Sequence, residues 1–268
     1  MRVVSLGDLA LDVVVRIRGE IARGADTPAE VSLSAGGQGA NVAAWVASLG
    51  ADAGWLGKRA TDEAGRLAAD ELERRGVELV GPVASKGNGV VVSLVDGRGE
   101  RSMFPARGVA TELGPDELDP AWLACDHLHV SGYALTADPV AEAAARAVEL
   151  ARDAGGRVSV DLSSWSAIRD RGPERFRGLV ASLRPDVVFA NEEEEEAFGG
   201  PLPEALWIRK RGAFGCSFGG EERPALPVPE VVDTTGAGDA LAAGWIVGGP
   251  ELALQAAARC VQRAGAMP

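Results

Sequence analysis

Short β-branched runs that end in glycine alternate along this chain with longer segments whose apolar residues recur every three or four positions. "RVVSLG", from Arg2 to Gly7, reads as a buried parallel strand. "LDVVVRI" and "AEVSLSAGG" are shorter and flanked by charge, which suits strands of a small exposed sheet. From Asn41, "NVAAWVASLGADAGWLG" predicts a helix stopped at Gly50 and then a strand to Gly57. "DEAGRLAADELERRGVEL" predicts an amphipathic helix closed by Gly76, with its arginines near the carboxyl end as the helix dipole favours. "GVVVSLVDGRGERSMF" reads as a hairpin around a glycine-rich turn.

Beyond it, "HLHVSGY", "RVSVDLS", "VVFANEE" and "ALWIRKRG" are strands spaced by helices. That alternation predicts an α/β fold, doubly wound, with a mostly parallel central sheet and helices on both faces. A small β-sheet lid is expected from about 11–18, 29–36 and 89–105, all within one domain spanning 1–268. Neither an internal repeat nor a low-complexity linker interrupts the pattern.

Composition narrows the partners. With 268 residues, 46% of them hydrophobic, the chain can bury one large core. A net charge of −12 argues against a nucleic-acid polymer or an anionic membrane surface, both of which need a basic face. Small anions remain possible ligands because they answer to local donors. Cys125, Cys216 and Cys260 are odd in number and widely spaced, so they read as reduced structural thiols. The charged start "MRVVSLGDLALD" is unlike a signal peptide, and no apolar run reaches membrane-span length. A soluble, cytoplasmic protein is expected.

In open parallel sheets ligands bind beyond the carboxyl ends of the strands. That rule singles out Asp8, Gly57, residues 131–133, Asp161, Asn191, Gly212 and the turn 234–239. In the last of these, "VVDTTGAGDALAAGWIVGG", an apolar strand is expected to give way to an alanine-rich helix. Small residues at a helix start leave amide N–H groups open, and the helix dipole adds positive potential, which favours an anion. Asp239 there is either the cap of a plain turn or a carboxylate placed to take a proton from an attacking alcohol.

"DTTGAGD" before a small-residue helix resembles the carboxyl-terminal signature of the ribokinase-like carbohydrate kinases, the PfkB family, whose landmarks follow in order from Asp12 to Gly265. The resemblance implies that Asp239 is the catalytic base and that Gly236, Ala237 and Gly238 form the anion hole. "AGGQGANVA" resembles the family's amino-terminal signature, which implies sugar contacts at Gly36, Gly37 and Asn41. Asp12 stands where the family grips sugar hydroxyls, and Arg101, in "GER", is a further substrate candidate. In "NEEE", Asn191 and Glu194 match the family's N-x-x-E motif, which implies that Glu194 organises magnesium through water. Glu192, Glu193, Glu195 and Glu196 are expected to be mostly solvated. Lys210, Gly212 and Thr235 are nucleotide candidates, and Asp233 with Gly265 implies a possible monovalent-cation site for potassium.

Two departures stand out: Ala60 where the family has glycine, for which a local backbone adjustment is expected, and Leu162–Ser163 where it has proline and asparagine. His127 and His129 share a strand face, but without a third ligand they read as packed or surface residues. What the resemblance implies is ATP- and magnesium-dependent phosphorylation of an alcohol on a small sugar or polyol, by a homodimer joined through its lids. Two alternatives stay open. One is a nucleoside kinase of the same fold, with Phe104 packing on the base, and the other a ligand-binding regulator that has lost catalysis.

Overall fold

The structure is a computed structural model that describes residues 1–98 and 101–268. The chain forms β1 (Arg2–Leu6), β2 (Ala10–Ile17), β3 (Ala29–Gly36), α1 (Gln38–Ser48), β4 (Asp52–Leu56) and β5 (Arg59–Ala60). Next come α2 (Glu63–Arg74), β6 (Val77–Val80), β7 (Val83–Ala84), β8 (Gly89–Val95) and β9 (Arg101–Ala106). Then follow β10 (His127–Ser131), α3 (Val140–Asp153), β11 (Arg157–Asp161), α4 (Trp165–Arg171) and α5 (Pro173–Ser182). The last third holds β12 (Val187–Asn191), α6 (Glu192–Phe198), β13 (Leu206–Lys210), β14 (Cys216–Phe218), β15 (Glu221–Arg223) and α7 (Ala237–Cys260).

The large sheet runs in the order β15-β14-β13-β12-β11-β10-β1-β4-β6. From β13 to β6 every neighbouring pair is parallel, and β14 and β15 close one edge as antiparallel strands. Parallel strands need cover on both faces, which is why these runs are apolar without alternation. One face buries Leu128, Val130 and Val160 against Ala143, Ala144 and Ala147 of α3. On the other face Val3 and Trp55 pack with Ala44 and Trp45 of α1 and Ala240 and Ala243 of α7. The carboxyl ends of β1, β10, β11, β12 and β13 therefore open on one edge and deliver Asp8, Ser131, Asp161, Asn191 and Lys210 there.

The lid is a second sheet, ordered β3-β2-β8-β9, with β2 and β8 parallel and both outer pairs antiparallel. It corresponds to the expected segments 11–18, 29–36 and 89–105. Gly99 and Glu100, at the hairpin turn, lie outside the described residues. The lid exposes large apolar side chains, with Val31 62%, Leu33 56%, Met103 59% and Phe104 58% accessible.

Several local expectations change. Helix α1 starts at Gln38 and not at Asn41, because Gly37, with φ 95°, makes the turn that begins it. No strand precedes the "DTTGAGD" turn: after β15 the chain is extended but unpaired in any sheet, and Val231 and Val232 are exposed. The amides of Val232 and Asp233 turn instead to the carbonyl of Val261, at 2.8 and 3.3 Å. Ala60 needs no adjustment. It lies in β5 with its methyl buried and its N–H donated to Asn88 Oδ1 at 3.1 Å. His127 Nε2 and His129 Nδ1 share the hydroxyl of Ser159, at 2.8 and 2.9 Å. Burial first, and then their electrostatic surroundings, hold their pKa values down near about 3 and about 4, so both are packed neutral residues. All three cysteines are buried and free. Among the described residues no helix is long and apolar enough to cross a membrane.

Trp45 ties the fold together: it is fully buried and its indole donates to the carbonyl of Ala266 at 2.8 Å. Trp45→Ala leaves a large cavity and an unpaired carbonyl, and should lower stability by roughly 3–5 kcal/mol. Chemical denaturation followed by circular dichroism reads this, and a loss under about 1 kcal/mol would show that α1 does not depend on that anchor.

Candidate active site

Asp239 sits in the first turn of α7, which Gly236 opens with φ 78°. A Cβ at Gly236 would meet the Ala266 backbone at 2.6 Å, so only glycine fits this approach. The Ala237 N–H is used on the carbonyl of Thr234 at 3.2 Å. Among the described residues the N–H groups of Gly236, Gly238 and Asp239 have no partner, which leaves donors free at the positive end of a long helix.

Facing them is the start of α1, where Asn41 Nδ2 donates to Asp239 Oδ2 at 2.8 Å. The two glycines before it make room for carboxyl and carbonyl groups. A Cβ at Gly36 would strike Asp12 Oδ2 at 2.2 Å, and one at Gly37 would strike the Asp8 carbonyl at 2.4 Å. Asp12, on β2, is thereby held at the joint between lid and sheet. Burial, reinforced by Glu71, raises its pKa to about 6.

Burial also dominates at Asp239 and lifts its pKa to about 7. The Asn41 hydrogen bond opposes the rise, Asp161 adds to it, and Lys210 and Gln38 oppose it. A carboxyl that titrates near neutrality is poised to accept a proton.

On the other side of the turn lies a buried charge cluster. Lys210 Nζ contacts Asp161 at 2.8 and 3.0 Å and Glu194 Oε2 at 3.6 Å. Burial alone would lower the Lys210 pKa, but Asp161 and Glu194 outweigh it and keep the ammonium charged. The Lys210 stem packs against Gly238, where a Cβ would meet it at 3.4 Å. Asn191 and Glu194 form a reciprocal capping box at the start of α6. Each backbone N–H donates to the other's side chain at 2.8 Å.

Among the described residues no group of three or more His, Cys, Asp or Glu could cage a metal ion directly. Glu194 nevertheless fits magnesium held through water, since that ion keeps several waters and needs few carboxylates. Glu192, Glu193 and Glu196 are exposed as expected. Glu195 is not: it receives Trp207 Nε1 at 2.6 Å and Arg209 Nε at 2.8 Å. Those partners sit on β13, so the glutamate run shows nothing of them.

A cavity of about 530 Å³ continues from the turn, lined by Asn191, Gly212, Leu226, Thr234, Gly238 and Val261 among others. It is apolar with a few polar groups at one end, the character of a small-molecule site. Thr235 does not line it, because its hydroxyl is turned to Arg101. A larger cavity of about 860 Å³ lies between α3 and α5, at the amino ends of β12 and β13, and contains none of these groups.

Arg101 leaves the lid and reaches the turn, contacting Thr235 Oγ1 and Asp233 Oδ1, the latter at 2.8 Å. Asp233 also accepts from the N–H groups of Thr235 at 2.8 Å and Gly265 at 3.1 Å. Burial acts upward on its pKa, but these hydrogen bonds prevail and hold it below the usual carboxylate range. Both Asp233 oxygens are engaged and a guanidinium supplies the local positive charge. As they stand, Asp233 and Gly265 do not fit a potassium ion.

The structure adds residues that sequence reading did not rank. Asp161 was visible as a strand end, but its partner Lys210 is remote in the chain. Gln38 stood unnoticed inside the glycine signature. Arg107 grips Asp8 through two contacts, at 2.6 and 2.8 Å, and Thr136 at 2.8 Å, with no sequence signal for the pairing.

The pfkB family carbohydrate kinase model matches residues 1–267. The chain belongs to this family. The ATP-dependent ribose-1-phosphate kinase of Halopiger xanaduensis is 34% identical, over 97% of this chain and 90% of that protein. Fructokinase-1 of Oryza sativa subsp. japonica is 33% identical, over 89% and 80% respectively. Among solved structures, adenosine kinase from Sinorhizobium meliloti superposes with a TM-score of 0.86 at 26% identity, covering 99% of this chain and 95% of that one. The protein is therefore a carbohydrate kinase with the ribokinase-like fold.

In this kinase Lys210 is the only cation in contact with Asp161 and Glu194 among the described residues. Lys210→Met should destabilise it by roughly 3–5 kcal/mol, since breaking a buried pair leaves carboxylates unpaired. The deficit should be largest near pH 8 and shrink toward pH 5. Glu194 already has a raised pKa, and without Lys210 both carboxyls regain neutrality by taking up protons. Urea unfolding at the two pH values measures this, and a deficit that grows toward acid would contradict the pairing.

Proposed function

We propose that this enzyme transfers the γ-phosphoryl group of ATP to a primary hydroxyl of a small sugar, with Asp239 as general base. The observation that carries the reading is the placement of Asp239. A carboxyl with a pKa near about 7 stands at a helix start whose amides are free, and Asn41 orients it from across the cleft. The sugar hydroxyl gives its proton to Asp239 as its oxygen attacks the γ-phosphorus. The bond from that phosphorus to the bridging oxygen breaks, and ADP leaves with the electron pair. The N–H groups of Gly236, Gly238 and Asp239 receive the charge on the transferred group, where fixed donors in a dry site act most strongly.

Asp12 accepts from sugar hydroxyls, the backbone at Gly36 and Gly37 permits close approach, and the buried Asn41 Oδ1, unpartnered among the described residues, accepts one more. The nucleoside of ATP fits the cavity beside Gly212, with Asn191 and Thr234 at its rim. Magnesium, when bound, neutralises phosphate charge, with Glu194 and Asn191 holding its water shell.

The names of the two sequence relatives make ribose 1-phosphate and fructose the first acceptors to try. A nucleoside is the second reading, favoured by the accessible ring of Phe104 on the lid. A coupled ADP-release assay over pentoses, ketohexoses, their phosphates and nucleosides decides among these, and the reading fails if no alcohol stimulates ATP turnover. Asp239→Asn keeps the turn and removes the proton acceptor, so kcat should fall at least about a hundredfold while substrate binding holds. In the wild type, kcat/KM should rise with pH through the neutral range, since only the ionised carboxylate accepts a proton. A near-normal variant rate would sink the assignment.

We also propose a homodimer in which two lids cover each other. The support is the accessible apolar set Val31, Leu33, Met103 and Phe104, which a soluble protein tends to shield. Leu33→Glu should convert a dimer to a monomer in light scattering. A monomeric wild type at working concentration would show that the lids act singly.

A further inference from the structure

We infer that Gln38 is a positioning residue for the base: hydroxyls on two neighbouring strand ends fix its side-chain amide so that the NH2 group, not the oxygen, faces Asp239. Ser131, at the end of β10, donates to Gln38 Oε1, and Ser163, just after β11, has its hydroxyl on the same oxygen. Ser163 has one hydrogen and a second acceptor in reach, the Asp161 carbonyl at 3.1 Å, so Ser131 secures the orientation when Ser163 turns away. With its oxygen held there, Gln38 presents Nε2 to Asp239, which accepts a hydrogen bond from it. The reverse orientation would set the amide oxygen against a carboxylate, two acceptors without a proton between them.

Ser163 is held in place by its own geometry. It has φ 70°, one of two non-glycine residues in the left-handed region, and its N–H donates to Asp161 Oδ1 at 2.9 Å. Asp161 in turn binds Lys210, whose stem lies against Gly238. The contacts thus run from the anion-binding turn through Lys210, Asp161 and Ser163 to Gln38, and back to Asp239.

Gln38 and Asn41, on the same first turn of α1, give the carboxylate two amide donors. Both favour its ionised form. The other groups that act on Asp239 are Asp161, which raises its pKa, and Lys210, which lowers it. The charge of Asp239 also reaches Tyr133 and Cys260. Losing the Gln38 donor therefore shifts the balance toward the protonated carboxyl.

The test rests on Asp239 acting as base, and it separates the two claims. Gln38→Met keeps the length of the side chain and removes the donor. It should move the acid limb of kcat/KM upward by about one pH unit, so that the rate falls about tenfold at pH 6 and stays within about twofold at pH 8.5, with KM for ATP unchanged. The paired Ser131→Ala and Ser163→Ala variant, which leaves Gln38 in place but free to turn, should shift the limb in the same direction by less. Carbon-13 NMR titration of the Asp239 carboxyl in both variants reads its pKa whether or not it is the base. An unmoved carboxyl titration in Gln38→Met overturns the role of Gln38. A shifted titration with an unmoved acid limb supports that role and defeats the base assignment. If Gln38→Met does not fold, the serine pair variant carries the same readouts, and an unmoved titration there overturns the inference.

Discussion

One buried ammonium group holds the working edge of this enzyme together. Lys210 lies under the anion-binding turn, and its charge is shared by Asp161 and Glu194 in direct contact and by Asp239 at longer range. Three carboxyl groups this close in a region short of water would otherwise repel and protonate. With the ammonium present they take different states. Asp161 is locked in a salt bridge, Glu194 is spent on capping α6 and approaching the cation, and Asp239 is left near neutrality with amide donors on it. The same cation that stabilises the fold thus also sets the proton affinity of the group best placed to react.

The parallel sheet is what makes this gathering possible. Because β10, β11, β12 and β13 all run the same way, their carboxyl ends lie side by side, and Ser131, Asp161, Asn191 and Lys210 meet there although the chain separates them widely. Helices α1 and α7 then bring Asn41 and Asp239 to the same edge, where one hydrogen bond joins positions 198 residues apart. The lid completes the enclosure from the other side. Asp12 is packed against Gly36 at its base, and Arg101 crosses to Asp233 and Thr235. That crossing gives the turn a positive charge belonging to the chain itself, at the place where the family resemblance suggested a bound cation.

Much of this was legible in the sequence. Alternating apolar runs and helical periodicity are local properties, so the doubly wound sheet, the lid strands and the glycine-rich turns could be read directly. The motif residues Asp239, Asn41, Asp12, Asn191 and Glu194 were also legible, because glycines, capping pairs and a carboxylate at a helix start each leave a short-range mark. The errors came where a mark had two meanings. "VVDTT" has β-branched residues but no sheet edge to join, and the glutamate run gave no hint that Glu195 would find Trp207 and Arg209 on β13.

The sequence by itself determined which segments become strands, helices and turns, and which short motifs carry donors, acceptors and room for close approach. Only the tertiary structure decided the pairing of charges: Lys210 with Asp161, Arg101 with Asp233, Arg107 with Asp8, and Gln38 between two serines and the base. The physical reason is range. Backbone preference and amphipathic period act over a few neighbouring residues, whereas the state of a buried carboxyl depends on every charge and dipole that folding brings within a few ångströms, whatever their distance along the chain.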